Sequence, residues 1–163
     1  MNKRKTIILI VVVAFIVIQF FRPDRNQSGQ VSKQSITQLY HVPNNVNHTL
    51  QQSCVNCHSN NTEYPWYANV QPVGWWLNYH IHKGKSQLNL DEFAKYSSSQ
   101  QLNKLRSMKD QIKDDKMPLW SYALVHKEAR LSEADKATLI NWLDATIDSL
   151  QTVQQNKYLE YLK

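Results

Sequence analysis

The spacing of apolar residues along the chain predicts helices, and no segment alternates between apolar and polar positions as a strand would. An almost unbroken apolar run covers residues 7–21 and is interrupted only by Gln19. After a polar stretch, apolar residues recur at helical spacing in four further segments. Two of the predicted helices cover residues 45–57 and 72–83. A third begins at Ser98 or Ser99, and a fourth follows the N-cap residue Ser132. The pattern therefore predicts an all-α fold.

Two of these predicted helices carry a narrow apolar stripe. The stripes consist of Leu102, Leu105, Met108 and Ile112 in the earlier helix, and of Leu139, Leu143, Ile147 and Leu150 in the last, with Trp142 beside them. Ser132 and Asp135 have the spacing of a capping box, in which each side chain bonds the other's backbone N–H. Pro72 and Gly84 bracket the helix 72–83, because proline favours the first helical position and glycine the position past the end.

The first 22 residues have the pattern of a membrane signal anchor. Lys3, Arg4 and Lys5 precede the apolar run, whose 15 residues are fewer than the roughly 20 of a full span. No small-residue cleavage site follows the run, which favours an uncleaved anchor over a cleaved signal peptide. The basic cluster would stay in the cytoplasm. We therefore expect a single-pass inner-membrane protein whose remaining chain lies on the periplasmic side.

The rest of the chain divides by composition into three parts. Residues 23–44 are rich in Ser, Gln and Asn, and we expect them to form a flexible polar linker. The predicted folded domain covers residues 45–155. A C-terminal tail is expected at 156–163.

Composition and charge exclude several classes of protein. The net charge of +6 is concentrated at the N-terminus, because the residues after 22 contain 15 basic and 13 acidic side chains. These charges are interleaved in sign, which is typical of a solvated helix surface and not of a nucleic-acid interface. The sequence has no Gly-rich nucleotide-binding motif and only two cysteines. A dinucleotide-binding enzyme and a multi-disulfide scaffold are therefore excluded.

Both cysteines lie in the motif Cys54-Val55-Asn56-Cys57-His58, the CxxCH pattern of covalent c-type haem attachment. Two thiols three residues apart on a helical turn can reach the two vinyl groups along one porphyrin edge, and the adjacent His can reach the iron. A thioredoxin-like redox pair would need a βαβ context, and a zinc site would need two more ligands. We therefore predict one covalent haem c, with its iron bound by His58.

Met117 is the leading candidate for the sixth iron ligand. It precedes Pro118, which disfavours the helical conformation at Met117 and lets the thioether project from a loop. Met108 instead belongs to an apolar helical stripe, as a core methionine would. His80 is the rival, because its helix face, shared with Trp76, should point inward. A Met opposite a His raises the reduction potential and favours electron transfer.

Aromatic residues are frequent between the CxxCH motif and the last predicted helix. A porphyrin has large apolar faces, and aromatic rings cover such faces with little loss of conformational entropy. We expect Trp66, Tyr67 and Trp76 to contact the haem, and His80 to contact a haem propionate if it does not bind the iron.

Longer motifs extend the pattern beyond CxxCH. Residues 54–67 read CxxCHSNxTxxPWY, residues 72–76 read PxxWW, and Met117-Pro118 follows later in the chain. With these motifs the sequence resembles the haem-binding domain family of small bacterial mono-haem c-type cytochromes, over about residues 50–142. One departure is Phe93, where the family usually has Trp.

The resemblance implies an exported, cytochrome c-like helical domain around a single covalent haem. Haem attachment carries over to Cys54, Cys57 and His58, the three positions of this sequence that match the CxxCH motif. The family does not define a redox partner.

Two classes of function remain open. The first is a membrane-tethered electron carrier, with His58 and Met117 on the iron and one-electron exchange with a redox partner protein. The second is a haem protein that binds or reduces a gas or a peroxide, which would need a displaceable sixth ligand. The sequence has no separate catalytic constellation and therefore favours the carrier over an enzyme.

Overall fold

The computed structural model of the chain describes residues 2–29 and 32–162. These residues fold as α-helices joined by short turns, and they contain no β-strand beyond a single bridge between Gln27 and Asn61. The helices are α1 (Lys3–Ile18), α2 (Ile36–Leu39), α3 (Asn44–Ser53), α4 (Val55–His58), α5 (Val73–Gln87), α6 (Ser98–Lys113), α7 (Trp120–Val125) and α8 (Glu133–Tyr161). Short 3₁₀ turns cover Trp66–Asn69, Leu90–Lys95 and Lys127–Ala129. The predicted all-α class is confirmed.

The main hydrophobic core lies between α2, α3, α6, α8 and the 3₁₀ turn Leu90–Lys95. The two apolar stripes predicted from the sequence face each other here, because α6 packs against the first half of α8. The buried core residues are Ile36, Val46, Leu50, Leu90, Phe93, Leu102, Leu105, Met108, Ile112, Leu139, Trp142, Leu143 and Ile147. Burial of these apolar side chains is the main force that holds the helices together.

Side-chain caps start both long helices of the core. The Ser97 hydroxyl accepts a hydrogen bond from the Gln100 backbone N–H, and the Gln100 side-chain oxygen accepts one from the Ser97 backbone N–H. Ser132 and Asp135 form the same reciprocal pair at the start of α8, which confirms the predicted capping box. Such caps satisfy N–H groups that the first helical turn leaves unpaired.

A second, smaller core lies between α4, α5 and the turn Trp66–Asn69. It consists of buried Ala68, Leu77 and Ile81, against which Cys57, Tyr64 and Tyr67 pack. The helix α5 runs to Gln87, past the end that Gly84 had predicted. Glycine is needed at position 84 for another reason: a Cβ there would come within 2.8 Å of the Cys57 carbonyl oxygen. Gly84 therefore allows α5 to pack closely on α4.

Much of the segment predicted as a flexible polar linker is packed against the domain. Ile36 of α2 is buried in the main core. The Tyr40 hydroxyl donates a hydrogen bond to Gln101 Oε1 over 2.8 Å. Ile36, Leu39 and Tyr40 have helical spacing, but this one short turn lies among polar residues, and Leu39 itself is exposed. The structure differs from the expected flexible coil at these residues.

The start of the same segment is docked on the loop that follows the CxxCH motif. Asn26 Nδ2 donates hydrogen bonds to the Ser59 carbonyl and to Thr62 Oγ1, over 2.9 and 2.8 Å. The Thr62 N–H donates to the Asn26 carbonyl, and the Ser28 N–H donates to the Asn60 carbonyl. These bonds hold residues 26–28 alongside the motif.

The two ends of the chain are helical. In α1 the apolar side chains are exposed and none is buried. Within residues 2–29 and 32–162, no helix is both long and apolar enough to cross a membrane, and α1 itself has 16 residues. At the other end, α8 continues to Tyr161, so residues 156–161 of the expected C-terminal tail are helical.

Replacing Ile36 tests whether the segment before the CxxCH motif is part of the folded core. The Ile36→Ala variant should lower the free energy of unfolding by about 2–4 kcal/mol, because it leaves a cavity at a buried site. Urea unfolding of the full chain in detergent, followed by circular dichroism, measures the loss. Leu39→Ala on the same helix removes an exposed side chain and should cost less than about 1 kcal/mol. Equal, small effects for both variants would mean that the segment is an unpacked linker.

Candidate functional site

The CxxCH motif begins at a break between α3 and α4, and its last four residues form α4. The helix predicted over 45–57 is broken at Cys54, whose backbone angles of φ −124° and ψ −44° depart from the α-helix between α3 and α4. Both thiols are free and half-buried. Burial, together with the nearby Cys57, raises the pKa of Cys54 to about 12, and burial raises the pKa of Cys57 to about 11. Both side chains are therefore neutral thiols in this structure.

His58 is held in one orientation by the backbone of the segment after α5. Its Nδ1 lies 3.0 Å from the Leu88 carbonyl oxygen, which can only accept a hydrogen bond. Nδ1 therefore carries the ring proton, and Nε2 keeps a free lone pair in the neutral ring. Burial lowers the pKa of His58, against the opposing effect of backbone contacts with Leu88 and Gly84. A neutral ring with its other nitrogen bonded to a carbonyl is the usual arrangement of a metal-binding His.

A cavity of about 610 Å³ opens beside this histidine. Its volume lies within the range of about 300–1,000 Å³ that is typical of small-molecule and cofactor sites. Cys54 and His58 line it from the motif, and Met117 lines it from the segment after α6. The structure thus brings together three of the residues that the sequence analysis predicted for the haem site.

Met117 reaches the cavity because α6 ends in a Schellman motif. Asp115 adopts the left-handed conformation with φ 55°. The Lys116 N–H donates to the Gln111 carbonyl over 2.9 Å, and the Asp115 N–H donates to the Ile112 carbonyl over 3.2 Å. This pair of bonds reverses the chain direction at the helix end. Met117 follows directly and lies half-buried at the cavity wall.

The opposite wall of the cavity comes from α6. Met108 and Ile112 contribute apolar surface, so Met108 belongs both to the core and to the cavity lining. Most other lining residues of this helix are polar, and Lys104 supplies a cation whose ammonium donates to the Gln87 carbonyl. These polar residues are Gln100, Asn103, Lys104, Ser107 and Gln111.

Other predicted haem contacts do not line this cavity. Cys57 packs in the smaller core, beside Tyr64 and Tyr67. Trp66 is 79% exposed, and Trp76 is half-exposed on α5. The cavity lining therefore holds one of the two cysteines and none of the predicted aromatic residues.

His80 also lies outside the cavity, and the expectation that it points inward was wrong. Its ring makes edge contacts with Trp76 and Tyr79, with ring centres 4.4 and 5.3 Å apart. The inner face of α5 instead consists of Gly74, Leu77 and Ile81. A glycine adds no hydrophobic signal to the sequence pattern, so the pattern assigned the inner face to the neighbouring aromatic residues.

A hydrogen-bonded chain that the sequence analysis missed runs beside the motif. The Tyr67 hydroxyl lies 2.6 Å from His126 Nε2, and His126 Nδ1 lies 3.0 Å from Glu128 Oε1. A carboxylate only accepts, so Nδ1 donates to Glu128. The ring of Tyr122 stacks on His126 at 4.3 Å. No local spacing links these residues, since Tyr67 and His126 are 59 positions apart.

Polar residues after the motif hold its backbone in place. Thr62 Oγ1 donates to the Asn56 carbonyl over 2.7 Å, and Asn56 Nδ2 donates to the Tyr122 hydroxyl over 2.9 Å. The Asn60 N–H donates to Asp91 Oδ2 over 2.8 Å. Hydrogen bonds from the residues of the SNxT extension therefore hold the backbone of the CxxCH motif and of the loop after it.

The described residues contain no group of three or more His, Cys, Asp or Glu side chains placed to hold a metal ion by themselves.

Comparison with known proteins identifies the family of this chain. No curated protein and no solved structure matches it. The family model of the haem-binding domain matches residues 13–145, which is most of the chain. The matched range contains the CxxCH turn, the cavity beside it and Met117. The chain therefore belongs to the haem-binding domain family.

Proposed function

We propose that this protein is a membrane-tethered mono-haem c-type cytochrome that carries single electrons outside the inner membrane. The observation that carries the proposal is the cavity shared by Cys54, His58 and Met117. A thiol, an oriented neutral imidazole and a thioether around one cavity are three of the donors that a c-type haem uses, and the second thiol, Cys57, lies on α4 beside His58, packed against the smaller core. A haem bound here supplies an iron that alternates between the ferrous and ferric states.

Different residues of the site would attach the haem and bind its iron. Cys54 and Cys57 would form the two thioether bonds, and His58 would bind the iron through Nε2. The Leu88 carbonyl fixes the ring of His58 by accepting from Nδ1. This bond also makes Nε2 more basic, which strengthens an iron–imidazole bond. Met117 would bind the iron as the sixth ligand.

The polar wall of the cavity suits the charged edge of a haem. Lys104 lies on this wall with Asn103 and Gln100. An ammonium group and two amides can donate hydrogen bonds to carboxylates. These side chains would hold the propionates while Met108 and Ile112 cover apolar porphyrin surface.

The alternative function, binding or reduction of a small ligand, would use His80 as a polar group near the iron. His80 is half-buried beside Trp76 and does not line the cavity, whereas Met117 does. This arrangement supports a six-coordinate electron carrier.

Haem attachment is tested by extraction. The unmodified protein should retain its haem in acidified acetone, because two thioether bonds hold it. The double variant Cys54→Ala/Cys57→Ala should release it completely. Visible absorption of the protein and solvent fractions measures the distribution. Free extraction of haem from the unmodified protein would show that the attachment is not covalent.

The sixth ligand is tested by comparing two methionines of the same cavity. Met117→Ala should abolish the weak far-red band of the oxidised protein, which arises from charge transfer between sulfur and ferric iron. It should also lower the potential by roughly 0.1 V or more, within the range of about 0.8 V that axial ligands span. Met108→Ala should keep the band, since Met108 is a core residue.

His80→Ala serves as the second comparison. If Met117→Ala keeps a normal six-coordinate spectrum while His80→Ala becomes high-spin, then His80 is the ligand. Potentiometric titration with visible spectroscopy gives both readouts on each variant.

The anchor is tested by sequencing the N-terminus of the mature protein. The chain should retain residues 3–18 and stay in the membrane fraction after alkaline carbonate extraction, because no small-residue cleavage site follows the apolar run. The variant Ile18→Ala/Phe20→Ala introduces an Ala-x-Ala pattern and should be cleaved. Its cleavage would show that signal peptidase can reach this segment of the chain. A mature terminus beyond residue 22 in the unmodified protein would make it a released carrier.

A further inference from the structure

The end of α1 is hydrogen-bonded to the start of α5. Gln19 Nε2 donates to the Gln71 carbonyl over 3.0 Å, and the Gln71 N–H donates back to Gln19 Oε1 over 2.8 Å. The Trp75 indole N–H donates to the Phe21 carbonyl over 2.6 Å. Gln71 is fully buried. The single polar interruption of the N-terminal apolar run is therefore the residue that joins α1 to the haem domain.

Exposed aromatic and apolar side chains surround this junction. We name them the aromatic collar, and each is between 38% and 81% exposed. The collar consists of Phe20, Phe21, Val73, Trp75, Trp76 and Tyr79. The helix α5 has no acidic residue, and its Lys83 ammonium lies 5.7 Å from the centre of the Tyr79 ring. Trp and Tyr with flanking Lys are the residue types enriched where proteins meet the headgroup layer of a bilayer.

The length of α1 indicates where the collar lies relative to a bilayer. Its 16 residues extend about 24 Å, at about 1.5 Å per residue, whereas the hydrocarbon core is about 30 Å thick. A helix shorter than the hydrocarbon core draws its flanking residues toward the bilayer. Because Gln19 and Gln71 join the domain to the helix end, the residues drawn in are those of the collar.

We propose that the aromatic collar binds the headgroup layer of a phospholipid bilayer and thereby orients the haem domain over the membrane. This inference rests on the proposed insertion of α1. Phe20 and Phe21 directly follow the C-cap of α1, and Trp75 is bonded to Phe21, so a lipid surface that surrounds the helix also reaches the collar.

The test measures the depth of spin labels on the full-length holoprotein in vesicles of phosphatidylcholine and phosphatidylglycerol. Labels are placed on single new cysteines: Val12→Cys in the middle of α1, Tyr79→Cys in the collar, and Ser99→Cys as an exposed control at the start of α6. The unmodified protein, treated in parallel, gives the background from Cys54 and Cys57. Collisions with a water-soluble nickel chelate and with oxygen report depth.

The collar label should collide with the nickel chelate about threefold less often than the Ser99 label, as expected for the headgroup layer. Adding Trp76→Ser to the Tyr79→Cys protein should restore much of that collision rate and leave the Val12 label unchanged. Trp76 is a suitable target because none of the hydrogen bonds that join α1 to α5 involves it.

The outcomes separate the two proposals. A Val12 label in water overturns the insertion of α1. A Val12 label deep in hydrocarbon, with the Tyr79 label as accessible to nickel as the Ser99 label, overturns the collar proposal and leaves the anchor intact. In that case the collar faces water and is free to contact a protein.

Discussion

The close packing of α4 on α5 is the constraint on which the site depends. Gly84 permits it, because any Cβ at that position would press on the Cys57 carbonyl oxygen at 2.8 Å. With the helices at this separation, the chain leaving α5 passes His58 and places the Leu88 carbonyl 3.0 Å from its Nδ1. Ring orientation, ring protonation and the direction of Nε2 all follow from that contact. Gly84 of α5 therefore influences the chemistry of a histidine on another helix.

Hydrogen bonds, and not apolar packing, hold the loop that follows the CxxCH motif. The loop after the motif lies between the two cores, and few apolar side chains are available there. Asn26, Thr62 and Asp91 hold it by hydrogen bonds to backbone groups. Lys85 adds a bond from its ammonium to Asn26 Oδ1 over 2.5 Å. The segment before the domain therefore supports the loop of the candidate site, consistent with a family match that begins at residue 13.

Periodic and local features were predictable from the sequence. The stripe from Leu102 to Ile112 and the Ser132–Asp135 box predicted the positions of α6 and α8, and the CxxCH motif contains Cys54 and His58, which line the cavity. Features set by tertiary contacts were not predictable from the sequence. Ile36 belongs to one short helical turn in a polar segment, and nothing local marks it as buried.

The face of α5 was assigned wrongly for a related reason. Glycines at positions 74 and 84 define its inner side by allowing close approach, and they leave no hydrophobic pattern. The Tyr67–His126–Glu128 chain joins distant positions and requires the folded backbone. Sequence patterns thus report burial along one element, whereas the site is built from contacts between elements.

The junction of Gln19 with Gln71 has a consequence for partner selection in the proposed carrier. A domain on a flexible coil would present its haem at many heights above a membrane and exchange electrons with any centre that it met. A domain that is joined to the end of the helix presents its haem at one height and one angle. Electron exchange would then favour partners whose redox centres lie at the same height above the membrane, with no need for a tight complex. Lateral diffusion in the plane of the bilayer would govern how often the carrier meets them.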